Sequence, residues 1–159
     1  MRPLDLREQS GNGSSMQHDL RRCSLEELER LYRTPLAPSV PRGRFRGALL
    51  HWLTAAKHHP LWRTVDTLGF GLTPFGVDFD EACWYFWHPR LRTGGFETAV
   101  GGSRWRDAQV LQLHYQRSKL PIKGLLYDEV KPLGPDLCLG IGGINSDAGP
   151  HFFFALERA

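Results

Sequence analysis

Two adjacent carboxylates, Asp128 and Glu129, stand inside the apolar run LLYDEVK and are the residues of this chain best suited to acid–base chemistry. A pair of acids moves protons when both side chains converge on one reacting group, and His114 in QVLQLHY is the base that could complete such a set. On a strand, however, neighbouring side chains point to opposite faces. Leu126, Asp128 and Val130 then share one face, while Leu125, Tyr127, Glu129 and Lys131 share the other. Each face carries one carboxylate among apolar groups, and a lone buried charge is costly enough that it must be partnered or neutralised. Arg44, Arg46, His114 and Tyr115 are the available partners. We therefore read Asp128 as an inward latch bonded to a partner, with a catalytic Asp128, Glu129 and His114 set as the alternative.

Other motifs lose force when their surroundings are read. LCLGIGG is glycine-rich, but a dinucleotide cradle needs a strand before it and a helix after it, and here INSDAGP and another strand follow. No GK[ST] is present. Gly140, Gly142 and Gly143 are better explained as letting a strand bend and pack closely. His58 and His59 are adjacent and diverge, no HxH or HxxxH occurs, and no metal site is expected. No cofactor is expected either, haem on His88 or His151 being the alternative weighed. No GxSxG occurs, and Cys83 and Cys138 lie in apolar strands as inert thiols.

Aromatic residues supply the clearest hint of binding. Trp84, Tyr85, Phe86 and Trp87 place large rings on both faces of one strand, and Phe152, Phe153 and Phe154 do so on another. One face can line an interior, and the other must be covered by helices, a partner subunit or lipid. The expected ligand-binding set is Trp84, Phe86, Arg44, Arg46, His114, Tyr115 and Asp128.

The elements that position these residues follow from pattern and turn chemistry. Residues 1–22 are polar around SGNGSS and are expected to be a disordered leader, with one globular domain over 23–159. Ser24-Leu25-Glu26-Glu27 reads as a capping box, and Leu25, Leu28, Leu31 and Tyr32 continue at helical spacing. Phe45 and Leu49 alternate with Arg44 and Arg46 on a first strand. A helix is expected from Leu49 to Lys57, another after Pro60, and an aromatic loop over 70–81. Strands follow near 82–88, 94–101, 108–116, 123–131, 137–143 and 151–157, separated by turns such as PLGPD. Connections this short favour antiparallel neighbours. The fold class is α+β, mainly β: an antiparallel meander forming a strongly curved sheet or barrel, with short helices in the N-terminal part.

Composition bounds the function. The 159 residues suit one domain with a real core, and 41% hydrophobic content makes it globular. Net charge is only +3, with arginines scattered among acids, so no nucleic-acid partner is expected. Three distant cysteines and no CxxC argue for reduced thiols and a cytoplasmic location. No apolar run is long enough for a transmembrane helix.

The stretches RWRDAQVLQLHYQ, LPIKGLLYDEVKPLGPDLCLGIGG and HFFFALER, with PxGxFxG before them, resemble a family of uncharacterised small bacterial proteins of lipocalin-like or calycin-like pattern. The resemblance spans roughly residues 42–158. It implies a barrel whose interior holds a small lipophilic or amphipathic ligand, and it implies no reaction. Secretion and disulfides, usual in lipocalins, are missing from the pattern here. The expected function is thus a binding module, with a barrel-type cyclase or isomerase, or a protein docking a partner or its own copy through aromatics, as alternatives.

Overall fold

In the computed structural model the described residues are 19–36, 39–53, 74–116, 118, 123–145 and 151–159. Nine strands make one antiparallel sheet: β1 (Arg44–Trp52), β2 (Phe75–Asp78), β3 (Cys83–Phe86), β4 (Arg92–Gly95), β5 (Glu97–Gly102), β6 (Gln109–His114), β7 (Leu126–Pro132), β8 (Leu137–Ile144) and β9 (His151–Arg158). Their spatial order is β4-β3-β2-β1-β9-β8-β7-β6-β5, so strands consecutive in sequence lie side by side except β4 and β5, and β1 pairs with β9.

The two edges, β4 and β5, are successive parts of one run with Phe96 alone between them. The first part pairs with β3 and the second with β6. Sliding one run past two neighbours in this way supplies the stagger that tilted strands need to close on themselves. The result is a nearly closed, barrel-like sheet.

Alternation then gives the sheet two apolar faces. Phe45, Phe75, Val77, Trp84, Leu111, Leu113, Val130, Phe154 and Leu156 pack together inside. Val110, Leu137, Leu139, Ile141, Phe153 and Ala155 pack on the outside. Exposing a second apolar face to water is unfavourable, and helix α1 (Leu25–Arg33) covers it. Ser24 starts that helix with both arms of the expected capping box: its Oγ accepts from Glu27 N–H, and its own N–H donates to Glu27 Oε2 at 2.7 Å. Such a cap stabilises a helix by about 1 kcal/mol. Leu28 and Tyr32 are fully buried beneath α1, and the Tyr32 ring meets Phe153 edge-on at 5.6 Å. Arg106 holds the helix from the β5–β6 loop through a forked ion pair, Nε to Glu29 Oε2 at 2.7 Å and Nη2 to Oε1 at 2.5 Å.

Three expectations about the elements need correction. Residues 19–22 are helical and Leu20 is buried in the outer cluster, so order begins before residue 23. The run from Leu49 is not helical through Trp52; it continues β1, because its backbone pairs with Phe152–Phe154 of β9. A bulge between Leu49 and His51 turns both Leu50 and His51 outward, which breaks the alternation and imitates a helical pattern. The 70–81 stretch contains strand β2, whose four residues are all buried. The helix expected after Pro60, and His58 and His59, lie outside the described residues.

Candidate functional site

Strand β7 carries the key residues, and its neighbours decide their surroundings. Asp128 pairs across the sheet with Leu113 on β6 and Gly142 on β8, and its side chain enters the barrel interior with those of Leu126 and Val130. Gly142 makes the room: a Cβ at that position would fall 2.2 Å from Asp128 Oδ1. Gly140 does the same for the Phe154 ring, which a Cβ would meet at 2.2 Å. Gly140 and Gly142 of LGIGG therefore serve as floor for large interior groups.

A one-way hydrogen-bond relay ends on Asp128. The Trp84 indole N–H donates to Tyr115 Oη at 2.5 Å, and the Tyr115 hydroxyl donates to Asp128 Oδ2. Trp84 and Tyr115 are buried. Among the described residues, no donor reaches Oδ1. Burial pushes the Asp128 carboxyl up to about 7; the Tyr115 bond pulls it partly back, and the charge of Glu129 across the sheet adds to the rise. Burial and the Asp128 charge in turn hold the Tyr115 hydroxyl well above its ordinary range.

Among the described residues, burial of the inner face is complete toward one end of the strands and partial toward the other. Phe45, Val77, Leu111, Val130 and Leu156 are fully buried. Arg158 caps that end, its guanidinium 5.1 Å from the centre of the Phe45 ring and bonded to Arg42 and Pro135 carbonyls. Toward the other end, Trp52, Phe86, Leu126, Asp128 and Phe152 each retain partial exposure. Trp84 and Phe154 meet at 5.7 Å and Phe152 and Phe154 at 6.1 Å, and the Phe152 and Phe154 rings lie near Gly142 beside Asp128.

Glu129, one residue on, lies on the outer face in a different setting. It is fully buried and accepts from Tyr32 Oη at 2.8 Å, Tyr127 Oη at 3.0 Å, the Arg104 backbone N–H at 2.9 Å and Ser103 Oγ. Four donors from α1, β7 and the β5–β6 loop occupy both oxygens. Lys131, on the same face, donates from Nζ to the Tyr32 carbonyl at 2.7 Å, and burial holds its ammonium below the usual range. Glu129 is thus the latch that fastens α1 and the β5–β6 loop to the sheet.

These placements sort the expected site residues. Trp84, Phe86, Tyr115 and Asp128 come together inside. Arg44 and Arg46 do not join them: both are exposed on the outer face, and Arg44 Nε binds Asp78 Oδ2 at 2.9 Å. The partner expected for Asp128 is therefore a tyrosine rather than an arginine. His114 faces outward too, 3.1 Å from Gln112 Oε1 and 6.3 Å from the Tyr127 ring centre. Asp128, Glu129 and His114 do not converge, because the sheet itself separates the first from the other two. His88 lies in the β3–β4 turn, accepting from Arg90 N–H through Nδ1, and His151 stacks on Trp105 at 4.9 Å. Among the described residues no cluster of His, Cys, Asp and Glu is arranged to hold a metal. The Cys138 thiol is pushed up to about 12 by burial, which removes it as a nucleophile. Sequence reading passed over the donors to Glu129; the only signal for Ser103 and Arg104 is their place in the turn GGSRWRD.

No family model matches the chain, and no curated protein matches it. A solved structure of a protein from Thermomonospora curvata is 15% identical with a TM-score of 0.47, covering 92% of this chain and 97% of that one. Among the described residues, no helix is long and apolar enough to cross a membrane.

Proposed function

We propose that the barrel is a binding module for a small amphipathic molecule, with the apolar body among the interior aromatic rings and the polar head at Asp128. The observation that carries this reading is the state of Asp128 toward the partly exposed end. One oxygen is held by Tyr115, the other has no donor among the described residues, and the side chain keeps partial exposure. Apolar pockets with few, well-placed polar groups are the usual form of small-molecule sites. Exposed Trp87, Leu91 and Leu125 follow or precede strand ends on that same side and suit the entry of an apolar molecule. Three free, buried cysteines favour a reducing compartment, hence a cytoplasmic protein.

The enzymatic alternative has less support, since its three residues lie on two faces. Native mass spectrometry of the purified protein, combined with organic extraction, tests the binding reading. A co-purifying small molecule, or saturable displacement of a bound apolar dye, is the expected result. A protein that emerges empty and binds no apolar dye in its native state removes the proposal.

A further inference from the structure

The charge around Asp128 narrows the ligand beyond amphipathic. A carboxylate drawn into an apolar interior requires a compensating cation or a full set of hydrogen-bond donors, or else remains protonated. The protein contains a direct control for this rule. Asp78 is also buried, and although burial raises its carboxyl, the Arg44 guanidinium and the backbone N–H of Glu81 carry it below the usual range. Among the described residues, Asp128 has no such cationic partner.

Among the described residues, the cations nearest the sheet are turned elsewhere. Arg44 is committed to Asp78, Arg46 is exposed, and Lys131 lies under α1. Arg104 stands over the Tyr127 ring on the outer face, and Arg158 caps the opposite end. The side chains beside Asp128 are instead aromatic: Trp84, Phe152 and Phe154. Aromatic rings can accommodate a cation and supply no charge that would hold an anion. Relay direction points the same way, since Trp84 and Tyr115 both donate toward Asp128 and leave Oδ1 as an acceptor.

We infer that the barrel interior selects molecules with a protonated amine head on an apolar body, the ammonium bonding Asp128 Oδ1 between the rings of Trp84, Phe152 and Phe154. This rests on the binding reading above and adds the head-group chemistry. The ligand would supply the cation that the fold withholds. A carboxylate head, as on a fatty acid, would meet a like charge and is disfavoured.

Three probes with one body separate the two ideas: n-octylamine, 1-octanol and octanoate, titrated calorimetrically at pH 8 below their micelle concentrations. We expect octylamine to bind at least tenfold more tightly than octanoate, and Asp128→Asn to bring that ratio near one. The 13C carboxyl resonance of Asp128 in the unmodified protein should shift with octylamine and not with octanoate, a readout that does not depend on the variant folding. Binding of all three probes with equal affinity overturns the head-group assignment and leaves the binding module standing. A tenfold preference that persists in Asp128→Asn, or an unmoved Asp128 resonance, likewise overturns it. No binding of any probe removes both.

Discussion

Asp128 and Glu129 are neighbours in sequence, yet they live in opposite halves of the molecule. Glu129 sits on the outer face, fully buried, with four donors on its two oxygens. Asp128 sits inside, partly accessible, with one donor among the described residues and a carboxyl pushed up to about 7. The same chemical group is a fastening on one face and an open acceptor on the other. What differs is how many donors the neighbouring elements bring to it: a helix and a loop converge on Glu129 outside, while among the described residues Tyr115 is the one donor to Asp128 inside. A buried polar group that is fully satisfied stabilises and orders its surroundings, and one left partly satisfied is available to something else.

The largest effect should come from breaking the outer site. Glu129→Ala leaves Tyr32, Tyr127, Ser103 and the Arg104 N–H without their acceptor, and each buried unsatisfied group costs about 1–3 kcal/mol. A loss of at least about 3 kcal/mol in denaturant unfolding is expected. A loss below about 1 kcal/mol would mean that Glu129 fastens nothing.

The inner site should give a smaller, coupled response. Gly142→Ala drives a Cβ to within 2.2 Å of Asp128 Oδ1, and overpacking of this kind costs roughly 1–3 kcal/mol. In a double-mutant cycle with Asp128→Ala, most of that cost should vanish, since the clashing oxygen is gone. Additive effects would show that the glycine serves something other than room for Asp128, such as the Phe152 and Phe154 rings near the same point.

The gentlest test is pH. Asp128 has its pKa raised from 3.8 to about 7 by folding, so between those values the folded chain holds a proton that the unfolded chain has released. Its contribution to stability is fully present below about 3.8 and is lost as the pH rises through about 7. Unfolding curves across that window should show stability falling by at most about 1.4 kcal/mol per pH unit from this group. In Asp128→Asn that component disappears, and the difference between the two profiles isolates it. Parallel profiles would place Asp128 in an ordinary aqueous setting and dissolve the contrast with Glu129.

Much of the β half was legible from the chain. The turn PLGPD, and the alternation in QVLQLHY and YDEVK, locate strands that the structure places at Gln109–His114 and Leu126–Pro132. The opposition of Asp128 and Glu129 also follows from the twofold period of a strand, whatever the fold. The capping box at Ser24 was equally local and is formed as expected. Harder to read were the features that depend on two distant segments. The bulge at Leu49/His51 mimics helical spacing and is visible only once β9 pairs beside it. Strand β2 is too short and glycine-interrupted to stand out from a loop.

The partners of the two acids show where local pattern ends. Sequence alone determined that one carboxylate would face in and one out, because side-chain alternation is a property of the backbone. It could not tell which residues would meet them. Tyr115 reaches Asp128 through the β6–β7 register, and Tyr32 reaches Glu129 from 97 positions away because α1 covers that patch of sheet. Arg44 and Arg46 looked equally available and were turned outward by the same alternation that turned Phe45 in. Charge compensation depends on distances of a few ångströms between chain segments far apart in sequence. Only the closed, staggered sheet sets those distances, and it decided that the inner acid would have no cation of its own among the described residues.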